Sequence, residues 1–339
     1  MATQADDQAG LARLAAARSA ILGEIGKAIV GQADVVDQVL LCILARSHAI
    51  LEGVPGLAKT LLVSSLARTM SAGFSRIQFT PDLMPSDITG TEVIQEDRST
   101  GARERRFLPG PIFANLVLAD EINRTPPKTQ AALLEAMQER QVTIGAERHP
   151  LPDPFFVLAT QNPLEQEGTY PLPEAQQDRF LFKILVDYPS WDDEMEVVRR
   201  TTSDAKSELK PVLDAAELIA LQGVVRRVAA ADHLVAYALR LVRATRPGAE
   251  APAELRGKLA WGAGPRAAQG LVLAAKARAA LAGRGSIAAE DITAIAAPVL
   301  RHRIQPSFEA AAEGLTAERI VANILRLVEA HPSSLTATG

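Results

Sequence analysis

The 339 residues suffice for one large domain with a smaller companion, and the hydrophobic fraction of 47% allows a substantial core. The formal net charge of −4 gives no basic bias toward nucleic acid, and a single cysteine, Cys42, excludes an intramolecular disulfide and a cysteine zinc cluster. No apolar run reaches the roughly 18 residues of a membrane span and the N-terminus lacks a signal-peptide pattern, so we expect a cytoplasmic protein.

Hydrophobic periodicity predicts two helices followed by an alternation of strands and helices. The helices run from Leu11 to Ile29, ended by Gly31, and from Asp34 to Ala45. Strand-like runs then alternate with helical ones, which predicts an α/β fold with a parallel five-stranded sheet flanked by helices. The predicted strands cover 49–52, 76–80, 115–120, 155–160 and 182–187, and the clearest connecting helices cover 60–71 and 125–140.

After residue 190 only helical patterns follow, which predicts a smaller all-α domain. We therefore predict an N-terminal helical segment over 1–30, an α/β domain over 31–190 and a helical domain over 191–335. Two hairpins are predicted as inserts near 81–109 and 141–152. The first pairs 91–95 with 104–108 around a turn at 97–101, and the second turns near 144–146.

The segment between the first strand and the following helix has the sequence GVPGLAKT. Strand, glycine-containing loop and helix in this order are the context of a phosphate-binding P-loop, in which backbone N–H groups and the helix dipole point at one spot. Lys59 would reach the β- and γ-phosphates, and the Thr60 hydroxyl would complete a Mg²⁺ shell. The alternative is an ordinary Gly-Pro turn. The candidate nucleotide-binding residues here are Gly53, Val54, Pro55, Gly56, Leu57, Ala58, Lys59, Thr60 and Leu61.

Ala58 stands where a P-loop usually has its last glycine. Alanine is penalised only in the left-handed region of the backbone. We therefore expect a negative φ at Ala58.

The predicted strand over 115–120 is apolar from Leu116 to Ala119 and leads into Asp120 and Glu121, as in a Walker B motif. A parallel strand is buried on both faces, so carboxylates emerge only at its C-terminal edge, where ligands bind. Asp120 would hold Mg²⁺ through a water, and Glu121 would polarise the water that attacks the γ-phosphate. The alternative is a strand that ends in solvated acids.

Three further polar residues are candidates for the same site. Asn162 follows the next apolar strand and is placed to orient the attacking water, although an Asn-Pro pair alone is a turn. Arg179 could stabilise transition-state charge across a subunit boundary, the alternative being a surface arginine paired with Asp178. Arg266 begins a helix after a proline turn and could fold back on the phosphates, or it could be an ordinary helix-start arginine.

Together these residues resemble the AAA+ ATPases, and more closely the MoxR family, in the branch with a helix-2 insert. The resemblance runs from about Val30 to Ser190. It rests on Gly31-Gln32 and on segments 51–60, 77–90, 110–115, 120–141 and 159–182, with the run EQEGTYPLPEA over 165–175 especially characteristic. The family also contains the alanine variant of the P-loop.

The resemblance implies a Mg²⁺-dependent ATPase that forms a hexameric ring. Gly31 and Gln32 would join the nucleotide site, and Lys59, Thr60, Asp120, Glu121 and Asn162 would act within one subunit. Arg179 matches the arginine finger, acting on the nucleotide of the neighbour. Arg266 matches sensor 2, whose ligand lies in the same or the adjacent subunit.

The two hairpins, in similar proteins, face the pore or upper surface of the ring and touch a client. The alternative is that they are merely solvated hairpins whose charges prevent edge pairing. Arg103, Arg105 and Arg106 give the first one a basic tip, but no aromatic residues are interleaved, so nucleic acid is not favoured as a partner.

The family implies a chaperone-like ATPase that remodels or activates partner proteins, in the maturation or metal loading of enzyme complexes, with a von Willebrand factor A-domain partner. Two alternatives remain open. One is a DNA-dependent motor, since replicative helicases share the inserts. The other is a chelatase-like subunit, which would need a large partner carrying the macrocycle site.

Overall fold

The computed structural model describes residues 4–54, 56–96, 103–162, 169–203 and 208–328. Pro55, the predicted turn at 97–101, part of the run 165–175 and the end of the predicted helical domain lie outside the described residues. The helices are α1 Gln4–Ile25, α2 Ala33–Leu44, α3 Lys59–Thr69, α4 Pro85–Thr89, α5 Pro127–Glu139, α6 Glu174–Gln177, α7 Trp191–Thr201, α8 Ala215–Arg227, α9 Asp232–Ala244, α10 Pro265–Leu281, α11 Ala289–Leu300, α12 Phe308–Ala312 and α13 Ala317–Leu327. The strands are β1 Ala49–Gly53, β2 Phe74–Gln78, β3 Gly90–Glu96, β4 Arg103–Pro109, β5 Leu116–Asp120, β6 Gln141–Ile144, β7 Glu147–Pro150, β8 Phe156–Gln161, β9 Phe182–Val186, β10 Leu259–Trp261 and β11 Gln305–Pro306.

The central sheet has five parallel strands in the order β2-β5-β8-β1-β9, which confirms the predicted fold class. The register pairs Leu51 with Thr160 and Ala119 with Ala159. Strands buried on both faces need continuous apolar runs, and β5 and β8 have them. The second strand covers 74–78 rather than 76–80, because it pairs with β5 over that strand's whole length, from Phe74 with Leu116 to Gln78 with Asp120.

Helices cover both faces of the sheet and enclose two apolar cores. One core joins α1, α2 and α3 to the helical half of the chain, and the other packs α5 against the opposite sheet face. Helix α1 begins at Gln4 and ends at Ile25, earlier than predicted, because its buried stripe of Leu14, Ile21 and Ile25 stops at the turn that Gly26 begins. It packs against α3, α8 and α10, so it bridges the sheet and the C-terminal helices.

Two antiparallel hairpins project from the α/β region. Strands β3 and β4 pair from Gly90 with Pro109 to Glu96 with Arg103, and β6 pairs with β7. The rings of Phe107 and His149 stack with centroids 3.9 Å apart, so the two hairpins contact each other.

Seven helices lie between Trp191 and Leu327 in the described part of the chain. The helical pattern did not predict the short antiparallel pair of β10 with β11, which joins two stretches of this region. None of the described helices is long and apolar enough to cross a membrane.

Candidate functional site

The loop between β1 and α3 is shaped by close backbone approaches. A Cβ atom at Gly53 would lie 2.7 Å from the carbonyl oxygen of Val186 on β9, so only glycine fits there without a shift. Gly56 has φ +87° and Ala58 has φ +53°, both in the left-handed region. The expectation of a negative φ at Ala58 is therefore wrong. The chain must reverse direction immediately before α3, and the left-handed residue at the N-cap makes that turn at a cost of about 1–2 kcal/mol for a residue with a Cβ.

Lys59 is half-buried at the start of α3. Its Nζ donates a hydrogen bond to the Gly53 carbonyl oxygen, which folds the side chain back over the loop. Burial lowers the pKa of Lys59, while the carboxylates of Asp120, Glu121 and Glu52 oppose that shift. The lysine therefore lies within electrostatic range of the acids that end β5. Thr60 follows it in the first turn of α3.

The end of β5 places the two acids in different environments. Asp120 is the last residue of the strand, and Glu121 adopts φ +58°, in the left-handed region. Thr160, at the corresponding level of the neighbouring β8, is 1% exposed. Its hydroxyl donates to Asp120 Oδ1 at 2.6 Å and accepts from the Glu121 backbone N–H at 2.8 Å. One hydroxyl thus fixes both the Asp120 carboxylate and the backbone of the strained Glu121.

Further side chains hold the two carboxylates from the side of β2. Arg76 donates to Asp120 Oδ2 from Nε at 3.1 Å and from Nη2 at 2.7 Å. Gln78 Nε2 donates to Glu121 Oε2 at 3.0 Å, and Arg124 Nε lies 3.0 Å from the same oxygen. Each carboxylate is therefore oriented by donors from two segments before any ligand enters: Asp120 from β8 and β2, and Glu121 from β2 and the turn that contains Arg124.

Asn162 lies directly after β8 and is 7% exposed. Because β8 lies between β5 and β1 in the sheet, Asn162 lies between the acids and the loop that carries Lys59. The structure therefore brings these predicted residues to one edge of the sheet.

Gly31 and Gln32 lie beside the same loop. Gln32 Nε2 donates to the Leu57 carbonyl oxygen at 3.2 Å. Gly31 has φ +74°, and a Cβ there would lie 2.6 Å from the Asp193 carboxyl group of α7. These two residues border a cleft of about 300 Å³ whose other walls are largely apolar, among them Leu22, Ile25, Ile29 and Val36. An apolar cleft of this kind can receive a flat heterocyclic base.

The described donor set also fits a hard cation. A hydroxyl at Thr60 and a carboxylate at Asp120 are oxygen ligands of the type that Mg²⁺ prefers. Within the described ranges no cluster of three or more His, Cys, Asp or Glu side chains could hold a metal alone. A metal at this edge would therefore complete its shell with phosphate oxygens and water, which is usual for Mg²⁺.

Arg179 and Arg266 lie at the junction with the C-terminal helices. No described residue forms an ion pair with Arg179. Asp178 instead bonds Arg303 Nε at 2.7 Å and lies 3.6 Å from Arg266 Nη1, so the alternative of an Arg179–Asp178 pair is wrong. Arg266 is in the first turn of α10, which begins at Pro265 as predicted.

The sequence did not predict roles for Thr160, Arg76, Gln78, Arg124 and Arg303. Gln78 is the last residue of β2 and Thr160 the last but one of β8, at the edge where the acids emerge, so their position could have suggested them. Arg303 lies 124 positions after Arg179, and no local pattern links it to the site.

Comparisons with known proteins agree with this geometry. Residues 48–182 match the ATPase family associated with various cellular activities (AAA), and residues 255–324 match the AAA lid domain. Chaperone MoxR1 of Mycobacterium tuberculosis is 44% identical over 306 residues, which are 90% of this chain and 80% of that protein. Protein MoxR of Methylorubrum extorquens is 31% identical over 330 residues, covering 90% of this chain and 91% of that protein. The crystal structure of a candidate ATPase from Cytophaga hutchinsonii superposes with a TM-score of 0.86 at 43% identity, covering 94% of this chain and 96% of that chain.

The parallel sheet, the loop that carries Lys59 and the acids that end β5 define an AAA+ ATPase with a helical lid. Relatives at this identity and coverage place it further: the chain belongs to the MoxR family.

Proposed function

We propose that this protein hydrolyses ATP to ADP and phosphate in a Mg²⁺-dependent reaction at the edge formed by β1, β8 and β5. The observation that carries the proposal is the bridge from the Thr160 hydroxyl to Asp120 and Glu121, which orients both acids within electrostatic range of Lys59. Electrostatic catalysis of phosphoryl transfer depends on such preorganised charges.

Each residue at this edge has a role that its position supports. Residues 53–61, in the loop and the start of α3, bind the phosphates through backbone N–H groups. The Lys59 side chain gives up its hydrogen bond to the Gly53 carbonyl oxygen and binds the β- and γ-phosphates instead. Thr60 and Asp120 hold Mg²⁺, which when bound neutralises phosphate charge. Glu121 accepts a proton from the attacking water, and Asn162 orients that water. Gly31 and Gln32 border the base.

The two arginines extend the site beyond one subunit. Arg179 has no ion-pair partner among the described residues, which suits a side chain that stabilises transition-state charge in a neighbouring pocket of a homo-oligomeric, hexameric ring. Arg266 acts as sensor 2, on the nucleotide of its own or the adjacent subunit. We infer a functional division into a helical segment over 1–30, an AAA+ domain over 31–190 with its two hairpin inserts, and a lid over 191–335.

The client of this ATPase is a protein rather than a nucleic acid. The M. tuberculosis relative is named a chaperone, and we infer a chaperone-like role here, with a von Willebrand factor A-domain partner and a function in maturation or cofactor loading of enzyme complexes. The basic residues of the first hairpin do not favour DNA, because Arg103 pairs with Glu96 at 3.2 Å and Arg105 lies 3.9 Å from Glu92. Their charges are already partly neutralised.

The Glu121→Gln variant tests both parts of the proposal. It should bind ATP with wild-type affinity while turnover falls by at least about 100-fold, the scale of a lost general base. Normal turnover would exclude Glu121 as the base. Held with ATP, the variant should retain a client from a lysate of the source organism, whereas the Lys59→Ala/Glu121→Gln double variant, unable to bind ATP, should not. ATP turnover stimulated by DNA in a salt-dependent manner would favour the motor instead.

A further inference from the structure

Arg303 lies in the turn after α11 and is saturated with hydrogen bonds. A guanidinium group carries five N–H donors, and all five have acceptors here. Nε donates to Asp178 Oδ1 at 2.7 Å, and Nη2 donates to the carbonyl oxygens of Asp178 at 3.0 Å and Phe180 at 2.6 Å. Nη1 donates to the carbonyl oxygens of Leu181 at 3.1 Å and Val299. Its side chain is 5% exposed, so the group is buried with every donor occupied.

Four of these five bonds end on the short segment 178–181, which contains Arg179. The acceptors are backbone oxygens and one carboxylate on both sides of Arg179, so its main chain is fixed from the lid. His302 adds a bond from Nε2 to the Phe180 carbonyl oxygen at 3.1 Å. The Arg179 side chain itself is left out of this network.

The lid contacts the same segment at two more points. Arg266 at the start of α10 lies 3.6 Å from Asp178 Oδ2, so Asp178 faces two lid arginines. A Cβ at Gly270 of α10 would lie 2.8 Å from Leu181 Cδ1, so the helix backbone approaches this segment closely. A displacement of α10 and α11 relative to the sheet must therefore carry residues 178–181 with it or break a buried charged network.

Breaking that network is unfavourable. A buried ion pair that loses one partner leaves an uncompensated charge in a medium of low dielectric constant, which is among the most destabilising of single changes. The lid and the segment around Arg179 therefore behave as one rigid unit.

We propose that the contact between Arg303 and Asp178, here called the latch, couples the position of the Arg179 guanidinium to that of the lid. Closure of the lid over one nucleotide then sets the position of the arginine that the subunit presents to its neighbour. Arg303 and Asp178 are positioning residues and touch no reactant. This inference rests on the proposed function, in which Arg179 acts in trans.

The first test measures ATP turnover and nucleotide affinity of Arg303→Lys and Asp178→Asn. Lysine keeps the charge but lacks the five-donor fork, and asparagine keeps the shape of Asp178 but loses its charge. A misplacement of about 1 Å costs on the order of 100-fold in rate, so we expect kcat to fall by about 10- to 100-fold while the Kd for ATP changes less than about threefold. Unchanged kcat in both variants would overturn the latch.

The matched control is Arg284→Lys. Arg284 is another lid arginine that binds a buried carboxylate, Asp291, with Nη2 at 2.6 Å from Oδ1, and its bonds end within the lid. It should lower the unfolding temperature without lowering kcat. A fall in kcat as large as that of Arg303→Lys would mean that any weakening of the lid has the same effect, and the latch would be rejected.

Mixed rings separate the latch from a defect in the variant's own pocket. Arg303→Lys subunits are assembled with Glu121→Gln subunits, which cannot hydrolyse ATP but carry an intact Arg179. The latch predicts that turnover per Arg303→Lys subunit rises above that of the pure Arg303→Lys ring, because its pocket now receives a well-placed arginine. Rings that combine Arg179→Ala subunits with Glu121→Gln subunits test the trans role alone. If turnover rises in mixed rings that contain Arg179→Ala subunits but not in those that contain Arg303→Lys subunits, the latch is overturned. If turnover rises in neither, the trans role on which the latch rests is overturned.

Discussion

Loss of the Thr160 hydroxyl should lower both the free energy of unfolding and the rate of ATP hydrolysis, and the two effects can be measured separately. Its hydroxyl is buried, donates to Asp120 and accepts from the Glu121 backbone. Valine has nearly the same shape and no hydroxyl, so Thr160→Val removes both hydrogen bonds and little volume. The bond to the carboxylate is charge-assisted and the other is neutral, which together predict a loss of about 2–4 kcal/mol in the free energy of unfolding.

The effect on turnover follows from the backbone of Glu121. Its left-handed conformation costs about 1–2 kcal/mol and persists only where neighbouring contacts hold it. Without the bond from Thr160, Glu121 can relax away from the attacking water. A displacement of Glu121 by about 1 Å should lower kcat by about 100-fold. Nucleotide affinity should change much less, because Arg76 still holds the Asp120 carboxylate and Thr160 is not part of the phosphate loop.

Single-turnover ATP hydrolysis and calorimetric titration with ATP measure the two quantities separately. Thr160→Ser keeps the hydroxyl and should recover most of the rate. Thr69→Val is the control for loss of a buried threonine hydroxyl, because the hydroxyl of Thr69 donates to the Leu66 carbonyl within α3, at 2.8 Å. A Thr160→Val rate within about threefold of wild type, where a 100-fold loss is expected, would exclude this role for Thr160.

Three further predictions concern stability. Ala58→Gly should raise the free energy of unfolding by about 1 kcal/mol in urea titrations, because glycine adopts the left-handed conformation without penalty, whereas Ala131→Gly, at an exposed position of α5, should lower it by a similar amount. Gly53→Ala should lower the free energy of unfolding by about 1–3 kcal/mol, because the new Cβ would meet the Val186 carbonyl oxygen. Gly23→Ala in α1 has open space around it and should not lower it. Equal effects of the two substitutions would contradict the close approach at Gly53. Burial lowers the pKa of His302, and it lowers the pKa of His48 from 6.5 to about 4, so the contribution of His48 to stability should be constant above pH 6.5 and decline as pH falls toward 4. The decline should be about 1.4 kcal/mol per pH unit, because only the unfolded chain then takes up the proton, and His48→Gln should show a flatter pH dependence.

The sequence predicted the sheet and the edge where its ligands bind because both depend on local patterns. The apolar run that ends in Asp120 and Glu121 must be a buried strand with its acids at the tip, and GVPGLAKT must be a loop before a helix. The boundaries of α1 and β2 depended on tertiary contacts, and so they differed by several residues from the pattern.

Tertiary contacts also explain what the sequence could not predict at the site. The roles of Arg76 and Gln78 depend on β2 lying beside β5, and the contact of Arg303 with Asp178 joins residues 125 positions apart. An isolated arginine after a helix carries no sign of burial. Only the packed lid shows that its five donors are all used.

The backbone strain of this site lies where the chain must turn toward the ligand. Five non-glycine residues in the described ranges have positive φ, and two of them, Ala58 and Glu121, directly precede α3 and follow β5. Such residues persist only when surrounding contacts over-determine them. Thr160 supplies that contact for Glu121, whereas no side-chain bond caps α3 at Ala58. We therefore infer that bound phosphate supplies the missing contact at Ala58 and holds it in the left-handed conformation. Wild-type protein bears the cost of that conformation in the complex and glycine does not, so ATP should stabilise Ala58→Gly more than it stabilises wild-type protein. Thermal shifts that are equal in the two proteins would exclude this coupling between strain and binding.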